Sequence, residues 1–259
     1  MNPVKIIFFD IDGTLIDIEQ KKISERTLEA LRRLQENNIL ICLATGRGPV
    51  TLPHFDGITF DAFLTFNGSF CFNSQQTIFS NPIPTEDVKI FVRNAASIGR
   101  PVSIATKENF YANGKDQDLI DYFAVPKLEV NVSEKFNEVM EHEDVYQLLL
   151  GCRSSDYPRL LEQVHGAKIT AWWDRAADVI PADGGKGQGI AKILEYYHLD
   201  KSQAMAFGDG NNDIEMLQAV GQGIAMQNAS PDLKAVADDV CGPASEDGIY
   251  HYCIEHKLI

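Results

Sequence analysis

The sequence has few basic residues for a chain of 259, and this shortage limits the partners it can bind. Lys and Arg number 23 against 37 Asp and Glu, so the formal net charge at pH 7 is −14. Binding of a nucleic-acid polyanion needs clustered Lys and Arg that release counterions, so we expect no nucleic-acid partner. A small phosphorylated molecule is compatible with this charge when a divalent cation is bound with it.

Paired cysteines and long apolar segments are also absent. No two of the five scattered cysteines have Cys-x-x-Cys spacing, so we expect neither a disulfide framework nor a zinc site. No apolar run approaches the length that spans a bilayer. Asp10 interrupts the apolar segment near the start of the chain, which argues against a signal peptide. These features predict a cytoplasmic protein without a membrane partner, and they leave its oligomeric state open.

What the chain does contain is the alternation of buried strands and amphipathic helices that is typical of α/β proteins. The apolar residues 4–9 predict a buried parallel strand. Ser24 is the expected N-cap of a helix that ends near Asn37, and residues 39–44 predict a second buried strand. A strand–helix–strand unit with short links forms a parallel pair, so we expect these two strands to be parallel.

Turn-forming residues divide the chain into three segments. Pro82 and Pro84 precede a series of short helices and hairpins that ends at Gly184 and Gly185, and the last helix of this series is predicted over residues 155–164. We therefore expect a doubly wound, mostly parallel α/β domain, interrupted by an inserted α+β domain. The predicted bounds are 1–82 and 184–259 for the first domain and 83–183 for the insertion.

Polar side chains follow three predicted strands at the points where the strands end. Open α/β sheets bind ligands beyond the carboxyl ends of their strands, so these side chains are expected to share one site. Lys186 begins a helix, where a cation is unfavourable unless an anion meets it, so a bound phosphate explains its placement better than a surface position does. Acidic and amide groups suit a hard cation. The candidate site residues are Asp10, Asp12, Thr45, Gly46, Lys186, Asp209, Asn212 and Asp213.

Four motifs in this order resemble those of phosphatases in the haloacid dehalogenase (HAD) superfamily. They are Asp-Ile-Asp-Gly-Thr at residues 10–14, Thr45-Gly46, Lys186, and Gly-Asp-Gly-Asn-Asn-Asp at residues 208–213. The insertion resembles the C2-type cap domain of the Cof-like subfamily. The resemblance implies a Rossmann-like HAD core with a cap, and a phosphatase acting on small phosphorylated metabolites, mostly sugar phosphates.

The resemblance also implies a role for each candidate residue. Asp10 is the expected nucleophile, which forms an aspartyl-phosphate, and Asp12 is the expected general acid and base. Mg²⁺ is the expected cofactor. Asp12 would bind it through the backbone carbonyl, and Asp213 would bind it directly or through water, or would orient Lys186. The resemblance places Asp10, Asp12, Asp209 and Asp213 at the metal, and Thr45, Gly46, Lys186 and Asn212 at the phosphoryl group.

Two other functions stay open on the sequence. Phosphomannomutases resemble the same core and cap, and Asp12 suits a phosphomutase equally well. A non-catalytic phosphate-binding regulator is the second alternative, although every catalytic position is filled. P-type ATPases are disfavoured because they carry Thr at the position of Asp12 and span a membrane. Dehalogenation is disfavoured because it has no use for metal ligands.

Overall fold

The computed structural model describes residues 3–125 and 127–259, and these form two compact units. We call them the core unit, which comprises the chain up to Gly46 with Pro53–Ser80 and Gly185–Ile259, and the cap unit, which comprises Arg47–Leu52 and Asn81–Gly184. The predicted insertion of 83–183 begins two residues later and ends one residue earlier than the segment Asn81–Gly184 of the cap unit. Arg47–Leu52 lies within the predicted first domain of 1–82, but it clusters with the cap unit.

Strands and helices alternate along most of the chain. The strands are β1 Ile6–Phe9, β2 Leu40–Ala44, β3 Ala62–Thr65, β4 Phe70–Phe72, β5 Thr77–Ser80, β6 Ser103–Ala105, β7 Phe110–Ala112, β8 Gln147–Gly151, β9 Ala167–Trp173, β10 Ala176–Pro181, β11 Ala204–Gly208, β12 Gln222–Met226 and β13 Asp239–Cys241. The helices are α1 Glu25–Glu36, α2 Thr85–Ser97, α3 Gln117–Ala124, α4 Phe136–His142, α5 Tyr157–Leu160, α6 Lys186–Tyr197, α7 Ile214–Gln218, α8 Pro231–Val236 and α9 Gly248–Glu255. None of the helices in the described ranges is both long and apolar enough to cross a bilayer.

The core unit is built on an eight-stranded sheet in the order β13-β12-β11-β1-β2-β3-β4-β5. The pairs from β13 to β3 are all parallel, and the hairpin strands β4 and β5 are antiparallel. From β1 the chain proceeds to β2 and β3 on one side, while β11 leads to β12 and β13 on the other. This arrangement confirms the predicted doubly wound, mostly parallel α/β fold.

Helices cover both faces of this sheet, and this coverage explains why its central strands are apolar throughout. All four residues of β1 are fully buried. Ile6 and Phe8 pack on the face that carries α6, α7 and α8. Phe207 of β11 lies on the opposite face, where its ring meets Tyr252 of α9 edge-on at 5.5 Å, and α9 contacts α1. A strand buried on both faces shows a continuous apolar run in place of alternation.

Helix α1 follows its sequence signals closely. The Ser24 side chain accepts a hydrogen bond from the backbone N–H of Thr27 at 3.0 Å, which satisfies one of the free amides of the first turn. The leucines at helical spacing face the sheet and are buried. The helix ends at Glu36, and Asn38 has a left-handed conformation with φ of 59° that turns the chain into β2.

The cap unit is an antiparallel sheet with helices packed against it. Its strand order is β7-β6-β8-β10-β9, and α2, α4 and α5 contribute buried side chains to one apolar cluster with the sheet. Helix α3 contacts β8 and β10. The helix predicted over 155–164 is wrong in length, because α5 stops at Leu160 and Gln163 takes a left-handed conformation with φ of 61°.

Candidate active site

Three neighbouring strands of the core sheet deliver candidate residues to the same edge. β11 and β2 flank β1 and run parallel to it. Asp10, Thr45 and Asp209 each follow the last residue of one of these strands. The chain connections diverge between β1 and β11, so the three residues stand at a topological switch point, where open α/β sheets bind their ligands.

Lys186, at the first position of α6, joins two of the acidic residues. Its Nζ donates hydrogen bonds to Oδ1 of Asp10 at 2.6 Å and to Oδ1 of Asp213 at 2.5 Å, and its side chain is fully buried. Burial alone would lower the pKa of Lys186, but the charges of the two carboxylates outweigh it and raise the pKa above its ordinary value. The position of this lysine predicted a bound anion, whereas two carboxylates of the chain itself balance its charge.

A cluster of carboxylates surrounds this lysine. Ligand atoms of Asp10, Asp209 and Asp213 lie within 4.8 Å of one another. Burial, with a further contribution from the Asp213 charge, raises the pKa of Asp10 to about 7 despite the opposing effect of Lys186. Burial and the Asp10 charge raise the pKa of Asp209 to about 8. Three ionised carboxylates would carry more negative charge than one lysine offsets, so their charged forms are disfavoured until a hard divalent cation binds to their oxygen atoms.

Asp12 takes a different place from these three carboxylates. In the described part of the chain, the cluster of candidate ligand atoms leaves out the Asp12 side chain, which is half-buried on the turn after Asp10. Asp12 forms a single bridge with Ile16 through the backbone. The Asp12 carboxylate is therefore not one of the grouped candidate ligands, although its charge contributes to the raised pKa of Asp10.

The turn after Asp12 supports Asp209, which follows the neighbouring strand β11. Thr14 Oγ1 donates a hydrogen bond to Asp209 Oδ1 at 3.0 Å. Gly13 has φ of 94°, and a Cβ at this position would overlap the Asp209 carboxylate, so only glycine fits. Asn228 Nδ2 donates to the Gly13 carbonyl at 2.8 Å. No role was predicted for Thr14 or Asn228, although Thr14 is the last residue of the motif at residues 10–14.

Asp213 organises the loop after β11. Its Oδ2 accepts hydrogen bonds from the backbone amides of Asp209 at 2.9 Å and Gly210 at 3.0 Å, while its Oδ1 accepts from Lys186. The side chain is fully buried. Both carboxylate oxygens are thus engaged with the protein, so Asp213 fixes the loop and the lysine together.

The glycine before Lys186 has a steric reason. Gly185 has φ of 138°, and a Cβ there would overlap the Glu215 carboxylate. Glu215, at the start of α7, therefore comes close to the start of α6. Only glycine permits this close approach, and the segment before Lys186 is therefore where α6 and α7 meet.

Two of the remaining candidates, Thr45 and Asn212, lie beside Asn67, which belongs to the loop between β3 and β4. Thr45 is buried, and its backbone N–H donates to the Leu64 carbonyl at 2.9 Å. Asn67 donates its backbone N–H to the Thr45 carbonyl at 3.0 Å and accepts a hydrogen bond from Asn212 Nδ2 at 3.1 Å. Asn67 lies two residues beyond the end of β3, the strand beside β2, and this strand end is the signal that marks its position.

The family of the chain is clear from comparison with known proteins. The model of the haloacid dehalogenase-like hydrolase family matches residues 7–253. The chain belongs to this family, and this confirms the resemblance to the Cof-like HAD phosphatases. Its relatives include named phosphatases, so the chain is a hydrolase of phosphate esters.

Two relatives from Bacillus subtilis (strain 168) and one solved structure show how far the similarity extends. YkrA is 33% identical over 260 residues, covering 98% of each chain. The 5-amino-6-(5-phospho-D-ribitylamino)uracil phosphatase YitU is 29% identical over 267 residues, covering 97% of each. The structure of a HAD subclass IIB sugar phosphatase is 29% identical with a TM-score of 0.88, covering 99% of this chain and 100% of that one.

Proposed function

We propose that this chain is a Mg²⁺-dependent phosphatase of small phosphorylated metabolites, sugar phosphates in particular. The observation that carries the proposal is the meeting of Asp10, Asp209 and Asp213 around the buried Lys186 at one edge of the sheet. Two of the relatives described above are named for a sugar phosphate or a phosphorylated ribityl group. We take their shared chemistry, a phosphate ester on a polyhydroxylated carbon chain, as the proposed substrate class.

The acidic cluster fits a hard cation because its carboxylates are too close to remain charged together without one. Asp10 and Asp209, with the backbone carbonyl of Asp12, would hold Mg²⁺, and Asp213 would bind it directly or through water. When bound, the ion offsets the repulsion between the carboxylates and the phosphoryl group and stabilises charge on the phosphoryl oxygens.

In the first step, a carboxylate oxygen of Asp10 attacks phosphorus. The bond from phosphorus to the ester oxygen breaks, and Asp12 donates a proton to the leaving oxygen. Lys186, Thr45, the Gly46 amide and Asn212 hold the phosphoryl oxygens and stabilise the charge that develops on them.

In the second step, water attacks the phosphorus of the aspartyl-phosphate. Asp12, now deprotonated, removes a proton from this water. The bond between phosphorus and the Asp10 oxygen breaks, which restores the free carboxylate and releases inorganic phosphate. The side chain of Asp12 thus returns to its starting protonation state in each cycle.

The proposal also includes a reducing location such as the cytoplasm. All five cysteines lie in the described part of the chain, and each is a buried free thiol. A reducing compartment keeps thiols in this form.

Turnover of p-nitrophenyl phosphate and of a panel of sugar phosphates tests the proposed function. We expect phosphate release with Mg²⁺, none with excess EDTA, and loss of turnover in Asp10→Asn, which keeps the size of the side chain but not its nucleophilicity. Product analysis separates phosphate release from formation of an isomeric sugar phosphate. Turnover in EDTA or by Asp10→Asn contradicts the proposal, and isomer formation without phosphate release indicates a phosphomutase.

A further inference from the structure

The loop between β3 and β4 has an unusual backbone at a buried position. Phe66, Asn67 and Gly68 follow one another with φ of 51°, 52° and 95°. All three lie in the left-handed region, which is unfavourable for a bulky residue such as phenylalanine. Asn67 is 2% exposed. Backbone conformations of this kind persist where the surrounding structure fixes them, and they concentrate at functional sites.

The contacts of Asn67 connect two loops of the candidate active site. Its backbone N–H donates to the Thr45 carbonyl at 3.0 Å, which fixes the loop after β2. Its side-chain Oδ1 accepts from Asn212 Nδ2 at 3.1 Å, which fixes the loop after β11. A Cβ added to Gly46 would lie 3.1 Å from Asn67 Nδ2, so the amide also lies against that glycine. One side chain therefore touches both loops that carry proposed phosphate-binding groups.

A tight connection between two strands does not need these features. Hairpin turns form at the surface with exposed polar residues, and burial of an amide is unfavourable unless its hydrogen bonds are made. Here the amide is buried and directed to Asn212, a residue 145 positions away in the chain. The hydrogen bond between Asn67 and Asn212 therefore joins the loop after β3 to the loop after β11.

We infer that Asn67 is a positioning residue for phosphate binding and that it acts through Asn212. An amide nitrogen carries two hydrogens. When Asn67 Oδ1 accepts one of them, the Asn212 side chain is held in one orientation, and its second hydrogen is directed to a phosphoryl oxygen. The inference deepens the proposed function, because it rests on phosphate being the ligand of this site.

This role predicts a selective effect. Asn67 neither transfers protons nor belongs to the acidic cluster, so its loss weakens binding of the phosphoryl group. Half-saturation by Mg²⁺ and the pH dependence of kcat do not change. A residue that only maintains the fold would alter the metal requirement and the phosphate affinity together.

The test is a double-mutant cycle that measures the inhibition constant of inorganic phosphate against p-nitrophenyl phosphate turnover. Asn67→Gly removes the side chain but permits the left-handed backbone and keeps the backbone N–H. We expect Asn67→Gly and Asn212→Ala each to weaken phosphate binding about tenfold, the loss typical of one hydrogen bond to a charged group. The double variant should lose no more than either single variant, because one interaction is removed in all three.

Two further variants separate positioning from stability. Asn67→Ala lacks the same amide but places a Cβ in the left-handed conformation, so it should melt at a lower temperature than Asn67→Gly with the same loss of phosphate affinity. Asn38→Gly is the matched control, since Asn38 is also left-handed but exposed and lies at the other end of β2. It should leave phosphate binding unchanged.

Several results would overturn the inference. The first is unchanged phosphate affinity in Asn67→Gly. The second is a double variant whose loss of phosphate affinity is the sum of the two single losses. The third is a loss of phosphate affinity that increases as the melting temperature falls from Asn67→Gly to Asn67→Ala. A changed Mg²⁺ requirement in Asn67→Gly would also contradict it. Failure of the proposed function looks different, because wild-type protein would then neither hydrolyse p-nitrophenyl phosphate nor bind inorganic phosphate.

Discussion

At the scale of single residues, the site depends on how a few buried charges are matched. Lys186 places its ammonium group between Asp10 and Asp213, and Asp209 receives a hydrogen bond from Thr14. The charges of both partners raise the pKa of the lysine, which favours its protonated form. Asp209 accepts its hydrogen bond from the neutral hydroxyl of Thr14, so we expect the orientation of its carboxylate to depend on Thr14.

Thr14→Val tests this dependence with a change of nearly equal volume. The hydrogen bond from Thr14 lowers the pKa of Asp209 and orients its carboxylate, so its loss should weaken metal binding. Removal of a group that orients a metal ligand typically costs about 10- to 100-fold in affinity. We expect the Mg²⁺ concentration for half-maximal turnover to rise by that factor, whereas Thr14→Ser, which keeps the hydroxyl, should restore it. An unchanged Mg²⁺ requirement in Thr14→Val would show that Thr14 does not support a metal ligand.

The sequence predicted the chemical groups of the site better than the groups that hold them. Asp10, Thr45 and Asp209 could be found because each follows an apolar run, and the ends of parallel strands meet at one edge. Thr14 could not be found in this way, and for Asn67 the end of β3 marks a position but not a contact. Their contacts reach 195 and 145 positions along the chain, and no local pattern encodes the partner of such a contact.

At the scale of elements, an ionic cluster fastens α3 to the rest of the cap unit. Asp118, in the first turn of α3, is 9% exposed. It accepts hydrogen bonds from Arg175 at 2.7 and 3.0 Å, from Arg153 at 3.1 Å and from Arg100 at 3.3 Å. Burial alone would raise the pKa of Asp118, but the hydrogen bonds from Arg175 and Arg153 outweigh it and lower the pKa below its ordinary value.

Asp118→Asn should destabilise the cap unit. The variant keeps the shape of the side chain but leaves three arginines without their shared carboxylate. We expect a loss of about 2 kcal/mol in the free energy of unfolding at pH 7, the scale of a hydrogen bond to a charged group. Denaturant unfolding measures it, and Asp174→Asn is the control, because Asp174 is exposed in the neighbouring hairpin. Equal stability of wild type and Asp118→Asn would show that the cluster does not hold α3.

The same variant has a predictable dependence on pH. A carboxyl whose pKa is lowered by folding adds stability above its unfolded-state pKa of about 3.9, and this contribution disappears as the pH falls through the folded-state pKa. The difference in stability between wild type and Asp118→Asn should therefore be constant above about pH 5 and shrink below about pH 4.

Element prediction succeeded where local signals and packing agreed. Helix α1 has an N-cap serine, a leucine stripe and an asparagine stop, and the structure confirms all three. The helix predicted over 155–164 had an adequate apolar pattern, but the chain leaves the helical conformation after Leu160. Helix α4 was not predicted, because its seven residues offer too short a pattern to detect.

At the scale of the whole molecule, the interruption of one domain by another followed from the order of elements. Parallel strands before and after a long α+β segment had to return to one sheet, and they do. The assignment of Arg47–Leu52 to the cap unit could not follow from chain order, because it depends on which unit this segment packs with. We propose that the inserted domain, predicted over 83–183, selects among phosphate esters, while the core unit performs the chemistry.

The central claim is that Asp10 carries the phosphoryl group between the two steps, and a trapped phosphoenzyme tests it most directly. Asp12→Ala keeps the backbone carbonyl but cannot activate water, so hydrolysis of the aspartyl-phosphate should slow by about 10²- to 10⁴-fold. The nitrophenolate of p-nitrophenyl phosphate leaves without a proton donor, so the first step continues. Asp12→Ala is mixed with this ester and Mg²⁺, quenched with acid and examined by peptide mass spectrometry. The account predicts one phosphoryl group on Asp10, absent in Asp10→Asn. Release of nitrophenol in a single turnover with no phosphoryl group on Asp10 would contradict it.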